Sequence, residues 1–166
     1  RNTRRQRQMC IRDRYRTAKE LQGYISKLEE IRVPVIAAVH GGVIGGALDL
    51  ITACDMRFAS NDAFFCIQEI NIGMAADVGT LQRLPKIIPD SKMREMAYTG
   101  RRMLADEAKD SGLVGEVYET QDQMLDAVHK LAAEIASKSP VAIYGLKAVM
   151  NYSRDHNVSD LSLIHI

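Results

Sequence analysis

Cysteine is scarce: Cys10, Cys54 and Cys66 are the only three in 166 residues, and no two form a CxxC pair. That number and spacing exclude a disulfide framework and a zinc site, and a reducing, intracellular home is expected. Long apolar runs are missing as well. The longest, Val33 to Val39, contains Pro34 and ends at His40, far short of the roughly 20 residues of a spanning helix, so no membrane role is expected. The glycine-rich turn Gly41 to Gly46 lacks the Gly-Lys-Ser/Thr of a P-loop and the later ribose-binding acid of a dinucleotide fingerprint.

What is present suffices for one domain with a real core, since 46% of the residues are hydrophobic. The net charge of +1 hides an asymmetry. Seven arginines and one aspartate fall within residues 1–16, which leaves 15 basic and 20 acidic residues, a net −5, in 17–166. The basic segment 1–14 has neither helical nor strand periodicity and reads as a disordered or non-native tail; the competing reading is an arm that contacts RNA. The close of the chain, 161–166, is an abrupt apolar LSLIHI after a polar run. It reads as a second non-native or disordered end, leaving the domain at 15–160.

Between these ends helices and strands alternate, which places the chain in the α/β class. Thr17 to Ile31 sets Leu21, Tyr24, Ile25 and Leu28 on one helical face, and Pro34 prevents the helix continuing. Val35 to Val39 is a short apolar strand of the kind buried on both faces in parallel sheets. The turn His40 to Gly46 leads into helical spacing at Ala47 to Ala53, then strands at Met56 to Ala59 and Ala63 to Ile67. Further helices are expected at Val78 to Leu84, Ser91 to Tyr98, Ala105 to Ser111, Gln121 to Lys138 and Val141 to Tyr152. Gly112 stops one of them before a strand at Val114 to Tyr118.

Three carboxylates, Asp49, Glu69 and Asp77, stand among apolar or small neighbours. Burying an unpaired charge is unfavourable by several kcal/mol, so such acids are seldom incidental. Two carboxyl groups in unlike surroundings divide the roles of proton acceptor and proton donor, and the cluster points to proton-transfer chemistry. The neighbouring turn directs backbone N–H groups outward at the positive end of a helix dipole, which suits a phosphate or an oxyanion developing on a carbonyl. Taken singly, these features have plainer explanations: a tight strand-to-helix turn for the glycines, a helix-surface acid for Asp49, an N-cap before Val78 for Asp77. His40 has no paired Ser or Cys and is read as structural. Asp55 and Arg57 read as a structural pair, the methionines as core fillers, and Arg101-Arg102 as a solvated helix end or a phosphate contact.

The stretch Pro34-Val-Ile-Ala-Ala-Val-His-Gly-Gly-Val-Ile-Gly-Gly-Ala-Leu-Asp49, with Cys54-Asp55-Met56-Arg57 after it, resembles the signature strand and turn of the crotonase, or enoyl-CoA hydratase/isomerase, superfamily. Gln82-Arg83-Leu84 and the run Thr99 to Val114 resemble its helical segment. Hydratases carry Glu at the first acidic position and Gly at the third; Asp49 and Asp77 resemble the dienoyl-CoA isomerase branch instead. The resemblance implies a crotonase-like spiral of ββα units with C-terminal helices, its N-terminal part missing here. It implies an isomerase that turns 3,5-dienoyl-CoA into 2,4-dienoyl-CoA in the beta-oxidation of unsaturated fatty acids. A 2-enoyl-CoA hydratase is the alternative within the family, and an RNA-binding crotonase-like module the alternative outside enzymes.

By the same resemblance, Glu69 serves the carbon next to the thioester, Asp77 the distal carbon, and Asp49 stabilises or orients the diene. Gly46, with Gly45 and Gly42, provides oxyanion and substrate contacts, and Met74 lines an acyl tunnel. No metal is implied, and no cofactor beyond the coenzyme A that the substrate carries. A homo-oligomer, trimer or dimer of trimers, is implied for the full-length parent, without nucleic acid or membrane partners. The implied compartment is the mitochondrial matrix or peroxisome in a eukaryote and the cytoplasm in a bacterium. Ala47 replaces the third glycine of the family turn. Nothing here resembles the family's N-terminal segment, with its second oxyanion N–H and most coenzyme A contacts, so the chain is expected to be a fragment.

Overall fold

The computed structural model describes residues 4–161, with side chains at 13 and over 15–160. The first helix, α1, spans Arg4–Glu30 and so begins well before the Thr17 that periodicity indicates. Residues 4–16 contain no Gly or Pro and are rich in Arg, with two Gln, strong helix formers whose propensity needs no amphipathic pattern. The docking face also differs from the expected one. Leu21 is 45% exposed and Tyr24 70% exposed, while Ile25 and Leu28 are half-buried. Leu28 packs against the core, and beside it the polar stripe Gln22, Ser26 and Glu29, spaced as one helical face, also faces the rest of the molecule. Arg83 Nη2 donates to Ser26 Oγ at 2.9 Å and to Glu29 Oε2 at 2.8 Å, and Asn151 Nδ2 donates to the Glu29 carbonyl at 2.9 Å.

Two passes of the chain then build two sheets. Strand β1 (Ile36–Val39) enters the first sheet; after a corner at Gly41, β2 (Gly42–Ile44) enters the second and runs into α2 (Gly46–Thr52). The next pass repeats the pattern with β3 (Met56–Ser60) and β4 (Phe64–Cys66). β1 pairs with β3 in parallel, Ala38 opposite Phe58, and β2 pairs with β4 in parallel, Val43 opposite Phe65. Each pass thus adds one strand to each sheet. The residues expected as a bare turn therefore contain a strand, because β4 offers β2 a ladder that no local signal reveals.

Later elements complete the layers. A short α3 (Thr80–Arg83) and a 3-10 turn (Leu84–Lys86) precede α4 (Asp90–Thr99), β5 (Arg102–Leu104), α5 (Ala105–Asp110) and β6 (Glu116–Tyr118). Helices α6 (Gln121–Ala136), α7 (Pro140–Tyr152) and α8 (Val158–Leu161) follow. β5 joins β4 antiparallel, Met103 opposite Phe65, and β6 joins β3 in parallel. The periodicity reading missed β5 because three residues with one apolar centre carry almost no pattern. The core gathers Leu48, Phe65, Leu84, Met96, Met103 and Leu113, all fully buried. Met93 and Met103 behave as the core fillers expected, whereas Met74 is exposed. In β1 only Ala37 is buried, so that strand is half-covered rather than enclosed on both faces. Among the described residues no helix is long and apolar enough to cross a membrane.

Asp55 and Arg57 are structural, but not as a pair. Asp55 Oδ2 accepts from the Val35 amide at 2.7 Å and from Lys147 Nζ at 2.8 Å. Arg57 instead donates to the carbonyls of Leu113 and Cys54, each at 2.7 Å, and burial pushes its guanidinium below the usual range. Arg101 is committed too, clamping Glu95 and, through both terminal nitrogens, Glu107 at 2.7 and 2.8 Å. Its donors face carboxylates, which leaves the phosphate-contact reading without free geometry.

That clamp is pH-dependent. Hydrogen bonds from Arg101 hold the Glu107 carboxyl down at about 2, against an ordinary 4.5. A depressed acid stabilises the fold above the unfolded value and stops doing so as pH falls through the folded one. Glu107→Gln is therefore expected to lower the urea midpoint at pH 7, with the difference from wild type shrinking between pH 4.5 and about 2. A constant difference across that range contradicts the assignment.

Candidate active site

Parallel pairing of β2 with β4 sets Ile44 opposite Cys66, which brings the end of the glycine turn beside the residues that follow β4. Gly45, at φ 54° and ψ −118°, occupies backbone space where a β-carbon is strained. Its N–H donates to the Cys66 carbonyl at 3.0 Å, and its own carbonyl receives the amides of Leu48 at 2.7 Å and Asp49 at 3.2 Å. Gly45 is thereby spent on the turn itself. The next amide, that of Gly46, is the first of α2 and has no intrahelical partner, and Gly46 is exposed. Gly42 serves packing: a β-carbon there would stand 2.8 Å from Cζ of the Phe64 ring.

Glu69 opens a 3-10 turn, Glu69–Ile72, directly after β4. A β-carbon on Gly45 would stand 2.9 Å from Glu69 Oε1, so glycine is required both for the turn's conformation and for the acid's approach. Glu69 Oε2 is buried and has no hydrogen-bond partner among the described residues. A buried carboxylate oxygen left unpaired is unfavourable for folding alone. It is the arrangement expected of a group that meets a ligand. Next to it, burial pushes the Cys66 thiol up, so it stays protonated and bonds Gln68 Oε1 and the Gly100 carbonyl, each at 3.2 Å.

Asp49 lies in the first turn of α2 and is only 1% exposed, which overturns its reading as a helix-surface acid. Its Oδ1 accepts from the Thr80 amide at 2.6 Å. That bond also corrects the expected N-cap. The helix begins at Thr80, not Val78, its Gly79 cap offers no side chain, and the capping carboxylate arrives from Asp49, 31 residues away. Asp77 is exposed, and among the described residues no hydrogen bond reaches its carboxyl group; its carbonyl accepts from Gln22 Nε2 at 2.6 Å.

The structure therefore joins Glu69 to the Gly45–Gly46 turn, and ties Asp49 to the segment that carries Asp77. No hydrogen bond links Glu69 and Asp77 among the described residues. His40 is exposed, and Arg102 lies over the Phe64 ring at 4.3 Å. Sequence reasoning missed Gln22 and Thr80. The spacing of Gln22, Ser26 and Glu29 was the available signal, a polar stripe along a helix with an apolar stripe beside it. Among the described residues no group of three or more His, Cys, Asp or Glu side chains is placed to hold a metal ion.

Two cavities lie elsewhere. One, of about 530 Å³, has a mixed lining and lies against Gln22, Ser26, Gly79, Arg83 and Arg154. The other, of about 590 Å³, is apolar and runs between α6, α7 and the segment 32–36. Neither is lined by Glu69 or Gly46. The arginines of the first are already paired, Arg83 and Arg154 both with Glu29.

Comparison with known proteins places these features. The profile of the enoyl-CoA hydratase/isomerase family matches residues 3–162. The mitochondrial Delta(3,5)-Delta(2,4)-dienoyl-CoA isomerase of Mus musculus is 52% identical over 156 residues, covering 89% of this chain and 48% of that protein. The peroxisomal enzyme of that name from Arabidopsis thaliana is 48% identical over 143 residues, covering 86% of this chain and 51% of that protein. The chain thus spans about half the length of the curated relatives it matches. A crystal structure of a probable enoyl-CoA hydratase/isomerase from Mycobacterium abscessus superposes with TM-score 0.87 at 32% identity, covering 92% of this chain and 59% of that one.

Proposed function

The chain belongs to the enoyl-CoA hydratase/isomerase family, and from that premise we propose that the full-length protein isomerises 3,5-dienoyl-CoA to 2,4-dienoyl-CoA. The observation that carries the reading is the Glu69 carboxylate, one oxygen buried and unpaired, pressed against the turn whose Gly46 amide has no partner. The names of relatives near 50% identity support the diene as substrate. So do the aspartates at 49 and 77, where hydratases carry Glu and Gly.

In this mechanism Glu69 takes a proton from the carbon adjacent to the thioester, breaking that C–H bond and sending its electron pair into a dienolate. The Gly46 N–H donates to the dienolate oxygen, a contact whose loss costs about 3 kcal/mol of barrier. A proton delivered through Asp77 goes to the carbon four positions along, and the new C–H bond completes the shift of both double bonds. Solvent then exchanges the proton from Glu69 to Asp77. Asp49 orients the diene from nearby: its Oδ1 accepts from the Thr80 amide and so holds the segment that carries Asp77. The reading assigns no metal and no cofactor beyond the substrate's own coenzyme A. A homo-oligomeric parent in a mitochondrion or peroxisome accompanies it, following the compartments in the relatives' names.

The test is substrate preference. The full-length protein is expected to convert 3,5-dienoyl-CoA readily and to add water to 2-enoyl-CoA far more slowly. Rapid water addition without diene conversion would replace isomerase by hydratase.

A further inference from the structure

The segment carrying Asp77 is held at both ends. Gln22 Nε2, reaching from α1 across 55 positions of sequence, donates to the Asp77 carbonyl at 2.6 Å; Asp49 Oδ1 accepts from the Thr80 amide at 2.6 Å. Only Val78 and Gly79 lie between. Gly79 sits at φ 136°, a backbone conformation strained for any residue with a β-carbon. The carboxyl group of Asp77 is exposed and has no hydrogen-bond partner of its own among the described residues. Its place is therefore set by its backbone.

A hydrogen bond to the Asp77 carbonyl fixes the plane of the 77–78 peptide, and the Cα of Asp77 belongs to that plane. With that plane fixed, only rotation about the Cα–C bond of Asp77 is left to set the direction of its Cα–Cβ bond. Gln22 is not what docks α1, since ion pairs from Glu29 to Arg83 and Arg154, and hydrogen bonds from Arg83 to Ser26 Oγ and from Lys147 to the Leu28 carbonyl, hold the helix further along. We infer that Gln22 is a positioning residue: its amide sets where the Asp77 carboxyl stands over the distal carbon of the substrate. The inference rests on the proposed role of Asp77 as proton donor.

The experiment separates the two proton transfers in the full-length protein. In D2O, exchange of the proton next to the thioester breaks and re-forms one C–H bond through Glu69 and Gly46, and does not use Asp77. Isomerisation needs Asp77 as well. Gln22→Ala, and the isosteric Gln22→Glu, which when ionised has no N–H to donate, are each measured for both rates on 3,5-dienoyl-CoA. A misplacement of about 1 Å is worth about 10²-fold, so kcat for isomerisation is expected to fall roughly that far. KM and the exchange rate should stay within about twofold of wild type, the pattern of an interaction made only in the later transition state. Unchanged kcat, or exchange falling in step with it, overturns the inference. Asp77→Asn is run alongside: undiminished isomerisation there removes the role of Asp77 itself. That failure is distinct from a failure of the Gln22 role, which shows in the ratio of the two rates.

Discussion

Replacing Glu69 with glutamine is expected to lower kcat for 3,5-dienoyl-CoA by about 10²- to 10⁴-fold, the usual contribution of a positioned acid–base group. Glutamine matches glutamate in shape, so the side chain can still rest against Gly45, where Oε1 now stands 2.9 Å from the site of a β-carbon. What is lost is the ability to accept the substrate proton. Proton exchange next to the thioester should be lost together with isomerisation, because both begin at Glu69. The folded state should not suffer, since Oε2 has no partner among the described residues whose bond the change would break. Steady-state kinetics and the urea midpoint together check this. Full activity in Glu69→Gln would leave the buried carboxylate without a catalytic reason.

The largest expected effect on stability lies elsewhere. Lys147 is 3% exposed, and its ammonium donates to the carbonyls of Leu28 at 2.8 Å and Val33 at 2.9 Å and to Asp55 Oδ2 at 2.8 Å. It closes the C-terminal end of α1, ties the segment entering β1, and neutralises a carboxylate that also receives the Val35 amide. Lys147→Met preserves most of the volume and removes all three bonds. Breaking one partner of a buried ion pair typically costs about 3–5 kcal/mol, because the other charge stays behind. Lys147→Met is expected to fall in that range by urea unfolding. Adding Asp55→Ala to it should lower stability by less than the sum of the single losses, since the stranded charge is then gone. An effect below about 1 kcal/mol, the level of an exposed pair, would show that Lys147 is solvated.

The parts of this arrangement that were legible in the sequence are those fixed by near neighbours. The strand ahead of His40, the helix after the glycine-rich segment and the strand at Phe64 follow from local pattern and appear within a residue or two of their expected places. Glu69 was recognisable as an acid among apolar residues, and β2–β4 pairing accounts for its seat against Gly45. The partners that decide function are remote and left no local trace. Asp77 obeys every local rule for an N-cap, yet the cap comes from Asp49 because packing of α2 against α3 presents a buried carboxylate to the Thr80 amide first. Lys147 meets Asp55 across 92 positions. Leu21 and Tyr24 share an apolar face, but periodicity says only that such a face exists; the stripe of Gln22, Ser26 and Glu29 won the contact because Arg83 offered it charge.

That two carboxyl groups divide the proton transfers is tested most directly by kcat of the Asp77→Asn variant of the full-length protein on 3,5-dienoyl-CoA. The predicted result is isomerisation lost by about 10²-fold or more while acyl-CoA binding and proton exchange beside the thioester continue. Undiminished turnover, or loss of exchange together with isomerisation, would contradict it.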